Sequence, residues 1–386
     1  MPRIFKSSDD CCGCSACSQI CPSKAISMIP DVLGFLYPKI DNTKCTDCGL
    51  CEKVCSFRSD YDLSNNLPEP LLYGLKHKTE SERMKSQSGG AFALLSDWVL
   101  EQNGSVYGAG YADDFTVLHK RAEDILQRNE FRGSKYVQSN ISDIFPLLTE
   151  DLKSKKYVLF SGTPCQTAAI HSFVKLKKLD DSKLFLVDLI CHGVPAPFVW
   201  KNYLTYLEQK FHDKIIKTNF RDKQFGWRAH LESYIFKSGK SVSAFSYTYL
   251  FYKHIMLRLS CGKCPFTNYN RPSDITVGDF WGIEKSNPDF AGDNKGVSLV
   301  IVNSQKGNFL FDNIKEKCDF LKTVKEDSLQ GNLQRPSPLH KNRKKFENDF
   351  SNYGFVYINK KYGTDSWNYK IKRILKRILK ILGLKQ

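Results

Sequence analysis

The chain has 386 residues, 41% hydrophobic and 25% charged, which fits two or three folded domains and excludes a disordered or fibrous polymer. Lys and Arg outnumber Asp and Glu by 57 to 41, a formal charge of +16. That excess does not by itself argue for a nucleic-acid partner, because seven of the basic residues lie in 366–386.

Nine of the fourteen cysteines fall between Cys11 and Cys55. The first block reads Cys11-x2-Cys14-x2-Cys17-x3-Cys21-Pro22, and the second Cys45-x2-Cys48-x2-Cys51-x3-Cys55, with Ser56 in place of the proline. This is the bacterial dicluster ferredoxin spacing. Two residues between thiolates let a tight turn wrap one corner of an iron–sulfur cube, and the fourth cysteine of each run ligates the other cube. Cys11, Cys14, Cys17 and Cys55 are expected to hold one 4Fe–4S cluster, and Cys45, Cys48, Cys51 and Cys21 the other. Cys12 is left over and is expected to pack beside a cluster. Zinc also takes paired C-x2-C sites, but it has no use for a third cysteine in each run. Disulfides fit less well, because Met1-Pro2-Arg3 leads almost directly into the motif without an export signal. The expected location is a reducing cytoplasm, and no apolar run approaches the roughly 20 residues of a spanning helix.

In chain order, residues 1–58 form the cluster domain, with short strands at 25–28 and 34–38. Residues 59–70 lack periodicity, contain Pro68-Glu69-Pro70, and read as a linker. The next region, 71–150, starts with a strand at 71–75. Ser86-Gln87-Ser88-Gly89-Gly90 then opens a helix over 91–102. Free N–H groups at such a turn suit phosphate, and a plain N-cap by Ser88 is the other reading. A strand at 105–109 and a basic loop, Phe131 to Gln138, follow. Lys135 and Arg132 in that loop can hold phosphates or an anionic substrate, or be solvated.

Region 151–330 alternates strand and helix, which predicts a substantially parallel sheet covered by helices. Strands are expected at 156–160 and 184–190, helices at 166–176 and 199–211, a strand and turn at 274–282, a buried strand at 296–302, and a helix at about 306–318. Ligands of such sheets sit beyond the carboxyl ends of the strands. Cys165 in Ser161-Gly162-Thr163-Pro164-Cys165 and Cys191 in Cys191-His192-Gly193-Val194-Pro195 both fall at such ends. With Cys261 and Cys264 of a later C-x2-C they make four cysteines at turns, the number a third 4Fe–4S cluster requires. Spacing alone leaves this open against two core cysteines plus a zinc pair or an empty one. Cys318, in the helical stretch, is read as core.

Residues 331–386 form a basic tail, irregular over 331–364 and then helical. Ile371, Ile374, Leu375, Ile378, Leu379 and Leu382 share one face, and Lys370, Lys372, Arg373, Lys376, Arg377 and Lys380 fill the other. Such a helix suits an anionic membrane surface at the cytoplasmic face, with docking on the protein or a partner as the alternative.

The motifs Ser-Gly-Thr-Pro-Cys-Gln, Cys-His-Gly-Val-Pro, Phe220-Arg221-Asp222-Lys223, the late C-x2-C and Gly278-Asp279-Phe280-Trp281-Gly282 closely resemble the coenzyme F420 hydrogenase/dehydrogenase beta-subunit family over roughly residues 5–320. The resemblance implies an iron–sulfur flavoprotein oxidoreductase that passes electrons between FAD and 4Fe–4S clusters. It also implies a third cluster on Cys165, Cys191, Cys261 and Cys264, and cofactor-site roles for Ser88, Gly89, Gly90, Lys135, Tyr136 and Asp279. Bacterial relatives with a fused ferredoxin run often accompany polysaccharide synthesis, so the organic substrate is expected to be deazaflavin-like or a polysaccharide precursor. The implied donor is a redox partner protein or reduced ferredoxin. His192 and Lys135 are the catalytic candidates; for His192 a structural hydrogen-bonding role is the alternative. The expected fold is a multidomain α+β and α/β chain: a bacterial-ferredoxin-like dicluster domain, a mixed α/β flavin- and cluster-binding module, and a C-terminal amphipathic helix. Two rival functions remain: a non-catalytic electron-transfer subunit feeding a partner enzyme, and a zinc adaptor.

Overall fold

A computed structural model of the protein describes Ile4, Phe5, residues 7–57 and residues 61–381. Met1-Pro2-Arg3, Ser59 of the expected linker and Leu382 of the tail pattern lie outside the described residues.

In the cluster domain β1 (Ile26–Pro30) and β2 (Leu36–Ile40) form an antiparallel hairpin. Short helices, Ala16–Ile20 and Leu50–Lys53, leave each cysteine run. The domain is not a detached bead. Ala16, Cys17, Ile20, Ile26, Cys51 and Val54 share one buried cluster with Phe145, Ile170 and Phe173, from the helices Ile144–Lys153 and Pro164–Leu176.

The remaining strands are β3 (Asn66–His77), β4 (Ser105–Tyr111), β5 (Val117–Ala122), β6 (Val158–Gly162), β7 (Leu184–Leu189), β8 (Ile215–Asn219), β9 (Glu232–Phe236), β10 (Ser241–Ala244), β11 (Ile275–Asp279), β12 (Ser298–Ser304) and β13 (Cys318–Thr323). Eight of them make one mixed sheet in the order β13-β3-β12-β11-β7-β6-β4-β5. Its centre is parallel, β11 to β7, β7 to β6 and β6 to β4. Its flanks are antiparallel. Strands covered on both faces run continuously apolar, as Val158-Leu159-Phe160 does, and β12 is buried along its whole length. Strands from 71–150 and from 151–330 interleave in this single sheet. The smaller sheet, β10-β9-β8, packs its apolar side with the helix Pro197–Phe211.

Three expectations need correcting. The linker is shorter than drawn, because Asn66–Pro70 already belongs to β3, with both prolines on exposed or half-buried positions. The helix after β12 stops at Asp312, a 3-10 turn follows, and Cys318 opens β13. Residues 331–364 are not irregular: a helix runs over Arg343–Tyr362 and buries Phe346, Phe350, Phe355, Ile358 and Tyr362 against Trp200, Tyr203 and Tyr247. Its apolar spacing slips where Gly354, at φ 70° and ψ −169°, breaks the helix, so no single 3.6-residue period spans it.

The tail helix runs over Trp367–Ile381, and its Trp367, Ile371, Ile374, Leu375 and Leu379 are exposed. Among the described residues no helix is long and apolar enough to cross a membrane. Because Ile358 is fully buried, Ile358→Ala should lower stability by about 2–4 kcal/mol in a denaturant melt. A loss under about 0.5 kcal/mol would show that this helix does not dock on the core.

Candidate functional site

Both cysteine runs use the same backbone device. Gly13 and Ser15 have φ of 70° and 64°, and the equivalent Asp47 and Gly49 have 56° and 71°. Left-handed residues just before and just after the second cysteine curl each loop about a common centre and turn its N–H groups inward. Cys17 lies beside Cys14, Cys11 and Cys55, as well as Cys51. Burial, and then the charge of those neighbours, drives its thiol far above the ordinary range. Cys21, Cys45, Cys48 and Cys51 line one shared pocket. The structure thus gathers both foursomes drawn from the spacing, with the fourth cysteine of each run crossed over to the other set. The Ala25 N–H donates to Cys21 Sγ at 3.4 Å, as amides do to cluster sulfur. Among the described residues no three His, Cys, Asp or Glu groups close tightly enough for a single metal ion.

The other four cysteines come from three chain segments. Cys165 follows β6 and Cys191 follows β7, so adjacent parallel strands deliver both to the same edge of the sheet. Cys261 and Cys264 arrive on the 3-10 turn Leu259–Lys263 and its end. Burial, and then the charges of Cys261, Cys165 and Cys264, push the Cys191 thiol well up. Cys264 is pushed to about 12 by burial and then Cys165, and Cys261 to about 11 by burial. The N–H groups of Gly193 and Val194 donate to Cys191 Sγ and Cys261 Sγ, each at 3.4 Å. Gly193, at φ 104°, also leaves no room for a Cβ beside Leu257. Cys165 is drawn down to about 7, chiefly by a hydrogen bond with Cys12. Cys12 contacts Cys14 as well. The leftover cysteine of the first run therefore sits between a dicluster ligand and this second sulfur group.

Beside Cys191, His192 Nδ1 lies 3.0 Å from Asn332 Oδ1, and its Nε2 lies 2.6 Å from His254 Nε2. Its ring meets Phe251 and Tyr252 edge-on. Tyr252 bonds to His230, and Tyr136 stacks on Phe251 at 4.9 Å. Asp279, at the carboxyl end of β11, accepts from Arg221 Nη1 at 2.5 Å and from Trp227 Nε1 at 2.6 Å. Trp227 in turn stacks on Trp281 at 4.8 Å. The Arg221, Trp227, His230, Tyr252 and His254 positions carried no distinctive signal in the sequence beyond the Phe-Arg-Asp-Lys motif.

The Ser-Gly-Gly turn is tied into the sheet. Ser88 Oγ donates to the Val297 carbonyl at 2.7 Å, and the Gly89 N–H donates to Ser298 Oγ at 2.9 Å. A Cβ on Gly89 would meet the Leu75 carbonyl at 2.0 Å. Gly90, not Ser88, is the N-cap of the helix Ala91–Glu101, at φ 98°. Lys223 donates to the carbonyls of Arg83 (2.8 Å) and Ser88 (2.7 Å). Gln87 links this segment to the basic loop through the Ser134 N–H and to Arg221 through its carbonyl, each at 3.3 Å. Lys135 donates to the carbonyls of Glu130 (2.7 Å) and Arg132 (3.0 Å).

This neighbourhood is rich in buried cation and short of acceptors. Arg132 pairs with Glu82, yet its Nε and Nη1, and the Nε of Arg221, are buried without a partner. Burial, reinforced by Arg83, lowers Lys223 to about 7, and burial lowers Lys135 to about 7. The unpartnered N–H groups of Arg132 and Arg221 are of the kind that a phosphate-bearing anion satisfies. Because the folded values lie below the free-lysine value, the unfolded chain binds more protons between pH 7 and about 10.5, and these two lysines favour folding more as pH rises through that window. Anion binding runs the other way, since it needs the charged forms that persist below pH 7. Inorganic pyrophosphate should raise the melting temperature more at pH 6 than at pH 9; an equal rise at both would contradict the role of these lysines.

Two family models match the chain. Residues 10–59 match the 4Fe-4S dicluster domain, and residues 155–327 match the C terminus of the coenzyme F420 hydrogenase/dehydrogenase beta subunit. A comparison with curated proteins found no match. Among solved structures the chain is similar to a chain of the xenon-derivatised F420-reducing NiFe hydrogenase complex from Methanosarcina barkeri, at 18% identity and a TM-score of 0.45, covering 74% of this chain and 88% of that one. The two family matches agree with the motifs in the cysteine runs and around the sheet's carboxyl edge: residues 10–59 carry a 4Fe-4S dicluster domain, and residues 155–327 carry the C-terminal region of the coenzyme F420 hydrogenase/dehydrogenase beta subunit.

Proposed function

We propose that the chain is an iron–sulfur flavoprotein oxidoreductase that carries electrons between the dicluster domain, a third 4Fe–4S cluster and FAD, and acts on an organic substrate. One observation carries this reading. Cys165, Cys191, Cys261 and Cys264 converge at the carboxyl edge of the sheet, and Cys12 connects Cys165 to Cys14 of the first run. Bound clusters supply single electrons, and a flavin joins these to two-electron chemistry.

The chain's own residues have separable tasks. The four thiolates hold the third cluster, with the Gly193 and Val194 amides aimed at its sulfurs. Arg132, Lys135 and Lys223, short of partners or charge, bind the diphosphate of the dinucleotide. The Ser88-Gly89-Gly90 turn and Asp279 support that site by fixing Lys223 and Arg221. Tyr136, stacked on Phe251 and tilted against Phe220, offers an aromatic wall. His192, oriented by Asn332 and His254, handles the proton that accompanies substrate chemistry. The substrate is deazaflavin-like or a polysaccharide precursor, and the donor is a reduced ferredoxin or another redox partner. A reducing cytoplasm suits the exposed thiol of Cys48.

The tail suits the inner membrane face. Trp367, Ile371, Ile374, Leu375 and Leu379 are exposed on a helix whose remaining residues are predominantly basic.

A second reading, an electron-transfer subunit feeding a partner enzyme, is favoured by the exposure of Cys48 in the second cysteine run. The readings part on whether the purified chain alone turns over an organic acceptor. Cys165→Ser, prepared without oxygen, should retain about eight irons per chain where the parent has about twelve; equal iron in both would reject the third site. Anionic vesicles should float the full chain and not one lacking 366–386, and flotation of both would remove the tail from the account.

A further inference from the structure

The Arg258 side chain is wholly buried, and among the described residues no Asp or Glu pairs with it. A buried guanidinium without a counter-charge is strongly unfavourable. Its hydrogen bonds go to neutral acceptors: Nε to the Cys11 carbonyl at 2.7 Å, Nη2 to the Leu36 carbonyl at 2.9 Å, and Nη1 to Gln138 Oε1 at 3.0 Å. The same Nη2 lies 3.6 Å from Cys11 Sγ. The charged carbon sits 4.3 Å from the Tyr37 ring centre and 5.4 Å from that of Phe35. Among these neighbours the sulfur of Cys11 is the one that a bound cluster would make anionic.

We propose that Arg258 is the counter-ion of the cluster held by Cys11, Cys14, Cys17 and Cys55, and that it raises the reduction potential of that cluster. The inference rests on the dicluster domain and does not need the third cluster or the flavin. A cube gains a negative charge on reduction, and its potential follows net charge, hydrogen bonds to sulfur and exposure. A fixed cation donating toward a ligand sulfur stabilises the reduced form. Nothing in the second set matches this arrangement among the described residues: Cys48 is exposed and Cys45 half-exposed. Arg258 thus makes the two cubes unequal, favouring an electron on the inner one.

Arg258 also seats the domain. Gln138 Nε2 donates to the Cys12 carbonyl at 2.8 Å while its Oε1 receives Arg258, so the pair grips two successive carbonyls of the first run. A purely structural role would predict that any loss of this grip has the same effect. The test is a potentiometric titration followed by EPR on iron-replete full-length chain. Arg258→Gln should shift one of the two dicluster potentials downward and leave the other in place. Arg258→Lys, keeping the charge and losing the fork, should shift it less. Gln138→Leu, which loosens the grip and keeps the guanidinium, should leave both potentials unchanged. Wild-type potentials in Arg258→Gln, or an equal shift in Gln138→Leu, would overturn the proposal. Should Arg258→Gln not load iron, Arg258→Lys decides, and no downward shift there would overturn it.

Discussion

Four neighbouring parallel strands, β4, β6, β7 and β11, share one carboxyl edge, and the chemistry of the chain hangs from it. At such an edge the connections leave the sheet with their backbone groups unspent, so each turn can present one functional group to a common space. Here β6 delivers Cys165, β7 delivers Cys191 and His192, and β11 delivers Asp279. The segment before the last of these strands adds Cys261 and Cys264. The dicluster domain is fastened onto the same edge. Its apolar side enters the core of two helices, and its first loop is gripped by Gln138 and Arg258. Sulfur groups from distant chain positions are thereby held by packing that cannot slide.

Charge follows the same plan. Buried cysteines resist ionising, as the raised values at Cys17, Cys191, Cys261 and Cys264 record. Buried cations that lack a carboxylate or keep unpaired N–H groups are the complement. Arg258 stands by the first loop, and Arg132, Arg221 and Lys223 stand by the Ser-Gly-Gly turn. The net charge of +16 is therefore not spread over a solvated face. Part of it is interior and set against anionic groups, and part lies in the tail.

The cysteine runs were legible because ligand spacing is a local property, fixed by how few residues can wrap a cube. The parallel centre of the sheet was legible too, since continuous apolar strands alternate with helices over 151–330. The antiparallel flanks were not: β3 and β12 lie far apart in sequence, and no local pattern reports that they pair. The docking of Arg343–Tyr362 was hidden by the break at Gly354. Cys12 carried only the oddness of its count, and its contact with Cys165 is a product of domain docking. Arg258 had no signal at all, since a buried arginine is invisible until its neighbours are known. Phe-Arg-Asp-Lys stood out as a motif, but the pairing of Arg221 with Asp279 across 58 residues did not.

The account turns on how many cubes one chain carries and whether a flavin accompanies them. An inventory of iron, acid-labile sulfide and flavin in oxygen-free full-length protein measures this directly. The account predicts about twelve irons with matching sulfide and about one flavin per chain. About eight irons and no flavin would contradict it, leaving a dicluster protein whose second sulfur group binds nothing.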